Sequence, residues 1–177
     1  MKDREEKTPF GGSQSRFYQA ATKMVSPMQS VTSKVKPVPE GYHSLTPVVV
    51  VEGAPRLIDF LKQVFNAQEE EVYKGPDGRV IHAELRIGDS IIMLTDANPQ
   101  FPALPAMVNV YTEDVDAAYK RALKAGATSL REPSNQFYGD RTGGVKDAHG
   151  NQWWIATHVE DVSQEELEKR MKARESQ

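Results

Sequence analysis

His82 and Glu84, two residues apart, are the pair in this sequence best placed for chemistry. With Arg86 they alternate with Ile81, Ala83, Leu85 and Ile87, a period of two that marks a strand and sends the polar groups to one face. An imidazole and a carboxylate on one face can work as an acid/base pair, or as half of a displaced metal site. They can equally be a polar contact that holds a sheet or an interface together. Arg141 is the second candidate, in the run Phe137-Tyr138-Gly139-Asp140-Arg141 at a strand entrance. Its planar guanidinium suits a carboxylate or phosphate, and Gly143-Gly144 would let a ligand approach closely. A structural pair of Arg141 with Asp140 or Glu84 is the alternative. His43 and His158 read as boundary or interface residues, and His149 as a solvated turn residue.

Positioning these groups requires a scaffold, and the sequence supplies it twice. Residues 44–96 and 106–158 repeat one order of elements at an offset of about 61 residues. Each copy opens with an apolar strand, continues with an amphipathic helix and closes with three strand-like segments. In the first helix Leu57, Ile58, Leu61, Val64 and Phe65 form the apolar face, and Pro55 suits its first turn. In the second, Val115, Ala118, Tyr119 and Ala122 do so, Asp114 is the expected N-cap and Gly126 the stop. Gly75-Pro76-Asp77-Gly78, Gly88-Asp89 and Asp147-Ala148-His149-Gly150 read as turns. Helices covering one face of each sheet leave a concave face opposite, and a cavity enclosed by the two halves is where function is expected.

Composition narrows the function classes. The 177 residues suffice for one domain with a real core. A net charge of −3 gives no electrostatic footprint for nucleic acid. Without cysteine there is no disulfide, thiolate metal site or Cys nucleophile. No stretch reads as a membrane span or secretory signal, so a cytoplasmic location is expected. Residues 1–38 read as a flexible basic, polar tail, with organelle targeting the alternative reading. Residues 39–162 form the expected domain, and 163–177 a charged helical appendage whose Ser163 and Glu166 have capping-box spacing. Leu167 and Met171 are its docking residues.

Several strings together resemble the vicinal oxygen chelate superfamily, which holds glyoxalase I, extradiol dioxygenases and bleomycin-resistance proteins, and its PhnB-like branch in particular. They are Thr46-Pro47, the run from Gly78 to Ser90, Glu113-Asp114-Val115-Asp116-Ala117, Phe137–Arg141 and the run from Trp153 to His158. The resemblance implies an α+β fold of two βαβββ modules with a half-open cavity, extended here by a C-terminal helix, and it implies a homodimer. It also implies metal ligands on the first and last strand of each module. Those positions fall on Thr46, Met93, Met107 and Trp154, and the pairs 46/107 and 93/154 share the offset of 61. None of the four is a usable ligand for a divalent cation, so no metal and no cofactor are expected.

By the same register Asn109 and Trp154 point inward and Trp153 into the helix-side core. An indole wall with hydrogen-bonding groups opposite suits a planar or amphipathic molecule. The alternative reading is that Met93, Met107 and Trp154 simply fill the former metal cavity. The expected function is therefore a small organic molecule bound without the usual metal, by Thr46, His82, Glu84, Met93, Met107, Asn109, Tyr138, Arg141 and Trp154. Two alternatives stand beside it. One is a lyase, isomerase or dioxygenase-type enzyme using His82 and Glu84 as catalytic groups on a carbonyl compound, and the other a dimeric interaction module with a filled cavity.

Overall fold

The computed structural model of the protein describes residues 35–175. The tail expected over 1–38 lies almost wholly outside them. The unit Pro37–Gln177 is compact and begins with β1 (Val48–Val51), α1 (Ala54–Phe65), β2 (Gln68–Lys74), β3 (Val80–Ile87) and β4 (Ser90–Asp96). The order then repeats as β5 (Met107–Tyr111), α2 (Val115–Lys124), β6 (Thr128–Asn135), β7 (Asp140–Lys146) and β8 (Gln152–His158), and α3 (Gln164–Glu175) follows. Two four-stranded mixed sheets result, β1-β4-β3-β2 and β5-β8-β7-β6. In each, the first strand pairs parallel with the last and the other pairs are antiparallel. This is the expected α+β arrangement of two βαβββ modules with a C-terminal helix.

The duplication extends to single hydrogen bonds. α1 starts at Gly53, which has no side chain to cap it, so Asp96 at the end of β4 does so from the sheet. Its Oδ1 accepts from Gly53 N at 2.7 Å and Ala54 N at 2.8 Å, and its Oδ2 from Val80 N at 2.8 Å. Burial pushes the Asp96 carboxyl up, but these three donors and Arg79 outweigh it and hold the group below the usual carboxylate range. In the second module Asp114 caps α2 by accepting from Ala117 N at 2.9 Å. Thr157, at the end of β8, accepts from Val115 N at 2.9 Å. Ala54 and Val115, like Asp96 and Thr157, lie 61 residues apart.

The modules join through their helix-covered sides. α1 packs on α2, and Arg121 donates to Val64 O through Nε at 3.0 Å and Nη2 at 2.7 Å. Trp153, fully buried, sets its ring 5.6 Å from Phe65 and 6.2 Å from Phe60. Leu57, Leu61, Val64, Leu85, Leu94, Val145 and Ile155 complete the shared core. With the covered sides together, the concave faces turn outward. Val48 is 59%, Met107 69% and Tyr111 62% exposed.

Three expectations need correction. The first module, expected to open with a strand at about residue 44, enters its first strand only at Val48. Tyr42 N bonds Pro39 O at 3.2 Å and Gly41 takes φ +81°, so residues 37–46 run as an irregular strap before the ladder, and Pro47 joins it only by accepting from Met93 N at 2.9 Å. Ile81 does not face α1. The β2–β3 register shifts between Tyr73 and Lys74, so Val80 takes the core position and Ile81 is exposed. Finally, α3 is the exposed helix expected, with no buried residue, but of its two expected docking residues Leu167 is half-buried and Met171 is exposed. Charge holds the helix instead. Arg170 bonds Glu160 at 2.7 and 2.9 Å and Phe137 O at 3.2 Å, and Arg174 lies 4.7 Å over the Phe137 ring.

Candidate functional site

On the concave face of the first sheet, β3 brings His82 and Glu84 together, with His82 Nε2 2.9 Å from Glu84 Oε1. Cross-strand pairing sets Tyr73 opposite His82, Glu71 opposite Glu84, and Met93 on the other side of Glu84. The Tyr73 ring stacks on His82 with centroids 6.3 Å apart. From the strap, Tyr42 donates its hydroxyl to Glu84 Oε2. That bond first, and the His82 bond second, hold the Glu84 carboxyl below its ordinary range against a smaller effect of burial. The same bond pushes Tyr42 up to about 12. Arg86, next on this face, is taken by Glu70 at 2.5 Å. Thr46 and Met93 line a groove of about 430 Å³ with Pro37, Val38, Tyr42 and His43.

The second sheet brings Met107, Asn109 and Trp154 to its concave face. Asn109 pairs directly with Trp154. The indole lies over Gly144, where an added Cβ would come 2.8 Å from it. Arg131 also packs on the ring, its guanidinium carbon 4.7 Å from the ring centroid, and its Nη2 bonds Thr142 Oγ1 at 2.5 Å. The bare stacking wall expected of Trp154 is thus already faced by a cation. At the same face Tyr111 donates to Asp140 Oδ2 at 2.8 Å. Asp140 also holds His158 Nδ1 at 2.7 Å, and Asp161 meets His158 Nε2 at 3.0 Å. These two carboxylates, Asp140 first, raise the His158 pKa.

The structure does not bring the two sets of residues to one place within a chain. His82, Glu84 and Met93 lie on one sheet with Thr46 beside them at the end of the strap, and Met107, Asn109 and Trp154 lie on the other sheet. Arg141 departs further. It shares strand parity with Val145, which is fully buried on the helix side, and it forks onto Asp116 of α2 at 2.6 and 2.8 Å. Its partner is neither Asp140 nor Glu84. That parity was legible in the sequence. Tyr138 is exposed at the β6–β7 turn, edge-on to Phe137 at 5.3 Å.

The four positions where the resemblance implies a divalent cation do not fit one. They present two thioethers, an indole and a single hydroxyl. Among the described residues no three His, Cys, Asp or Glu side chains gather as a metal-binding group elsewhere. Sequence reasoning missed Tyr42, Tyr111, Asp116 and Arg131. Tyr111 had a signal, since it alternates with Met107 and Asn109. Tyr42 had none, lying among prolines with no periodicity.

Residues 42–155 match the family model described as the Glyoxalase/Bleomycin resistance protein/Dioxygenase superfamily. An uncharacterized protein of Mycobacterium bovis is 37% identical over 139 residues, covering 72% of this chain and 91% of its own length. Among solved structures, TioX from Micromonospora sp. ML1 superposes with a TM-score of 0.57 at 23% identity, over 65% of this chain and 98% of its own. TnmS3, an antibiotic binding protein from Streptomyces sp. CB03234, does so with a TM-score of 0.54 at 21% identity, over 71% and 100%. At these identities the two structures establish a common fold. Among the described residues no helix is long and apolar enough to cross a membrane.

Proposed function

The chain belongs to the glyoxalase/bleomycin resistance protein/dioxygenase superfamily, and from that premise we propose that it binds a small organic molecule on its concave sheet faces without the superfamily's usual metal centre. One observation carries this reading. The positions that would hold the cation bear Thr46, Met93, Met107 and Trp154, side chains that suit an apolar or planar ligand and not a hard cation. The fold shared with an antibiotic binding protein supports it. The exposed Val48, Met107 and Tyr111 support a second copy that covers these faces. A two-fold pair would set the Glu84 face of one copy against the Trp154 face of the other.

The second reading, chemistry at His82 and Glu84, has their 2.9 Å contact in its favour. The bonds that hold Glu84 ionised also make it a weak base, which leaves His82 as the proton acceptor. Metal analysis of protein purified without chelator, beside a His82→Ala/Glu84→Ala variant, separates the readings. Binding without metal predicts a negligible metal content in both. Stoichiometric metal that disappears in the double variant would show a relocated centre.

A further inference from the structure

The strap of residues 37–46 crosses the concave face of the first sheet without joining its ladder. Arg86 Nη1 bonds Gly41 O at 3.4 Å and His43 Nε2 meets Asp89 O at 3.1 Å, both exposed contacts. Leu45 is 89% exposed and Val38 39%. Tyr42 makes the inward contact, placing a phenol against Glu84 at the edge of the groove that Thr46 and Met93 line. A segment so attached opens at low free-energy cost compared with the core strands.

We propose that Tyr42 is a built-in surrogate for the ligand: a hydroxylated aromatic molecule displaces the Tyr42 phenol from Glu84, donates its own O–H to that carboxylate and rests its apolar body against Met93 and Thr46. This inference rests on the small-molecule reading of the same faces. Three features select the class. The acceptor already holds an aromatic hydroxyl donor, so its surroundings admit one. The groove beside it is walled mainly by prolines, Val38, Met93 and Tyr42. Glu84 stays an anion at neutral pH, because Tyr42 and His82 donate to it, and a charge-assisted bond rewards an O–H donor over a bare hydrocarbon. Glu71, directly opposite Glu84, adds a second negative charge. An anionic ligand head is thereby disfavoured.

The test uses p-cresol, which reproduces the Tyr side chain, and toluene, which lacks the hydroxyl. Each is titrated by NMR into the full chain, its Tyr42→Phe variant and Tyr42→Phe/Glu84→Gln. Tyr42→Phe keeps the ring but frees the carboxylate, so p-cresol should bind about tenfold tighter or more, the worth of one hydrogen bond to a charged group. The gain should vanish in the double variant, and toluene should bind all three alike. In the wild type, p-cresol should speed amide exchange over residues 41–44. Equal p-cresol affinity for wild type and Tyr42→Phe overturns the proposal, as does a gain that survives Glu84→Gln or extends to toluene. A planar dye that still quenches Trp154 while these tests fail would refute the surrogate and leave the binding function standing.

Discussion

A carboxylate that receives a phenol and an imidazole at once has little proton affinity left, so Glu84 serves better as an anchor than as a base. Asp96 is the corresponding structural case, a buried anion satisfied by two backbone donors at a helix start and one at the start of β3. Asp96→Ala strands those donors and should lower unfolding stability by about 3 kcal/mol. Thr157→Val, its counterpart 61 residues on, removes one acceptor and should cost about 1 kcal/mol. Urea denaturation of both variants checks the ratio. The Arg141–Asp116 fork is partly solvent-exposed and should contribute no more than about 1 kcal/mol. Arg141→Ala is accordingly expected to leave both stability and ligand binding nearly unchanged.

At the scale of elements, β7 and β8 together set the Trp154 wall. Gly144 is there because the indole lies where a side chain would be. Gly144→Ala should push Trp154 and Arg131 aside and weaken binding at this face several-fold, with a smaller change in stability, as fluorescence titration and melting together would show. Gly139 is the stricter case. It has φ +100°, and a Cβ there would run into Glu160 O, so Gly139→Ala should disturb the turn that carries Phe137 and, through Arg170 and Arg174, the seat of α3. Much of this level was legible in the sequence. The helices followed from 3.6-residue periodicity, and the equivalence of the two modules from the offset of 61. The strap was not, because Pro37, Pro39 and Pro47 interrupt any pattern and its position is set by Tyr42 and Arg86 reaching residues 40 or more away. Nor was the facing of the two sheets, which depends on Trp153 meeting α1 from the other module.

For the whole molecule, stability should peak in a window of pH fixed by opposed shifts. His158 binds its proton more tightly folded than unfolded, so its contribution is complete below about pH 6.5 and fades as pH rises through the raised folded value. Glu84, Asp96 and Asp116 are shifted down. Their contributions hold above the ordinary carboxylate range and are lost as pH falls through the lower folded values. Denaturation midpoints from pH 3 to 9 should therefore rise and then decline, and His158→Gln should flatten the upper limb alone. The sheets face outward from a shared helical core, and under the proposed reading a second copy covers the faces that carry Glu84 and Trp154. Trp154 reports on them directly, since Trp153, the other tryptophan, is buried in that core. The decisive measurement is a fluorescence titration of chelator-treated protein with 1,4-dihydroxyanthraquinone, beside a Trp154→Phe control. Binding without metal predicts saturable quenching in the treated protein that is lost in the control. No saturable quenching, or quenching that returns only when a divalent cation is added back, would contradict it.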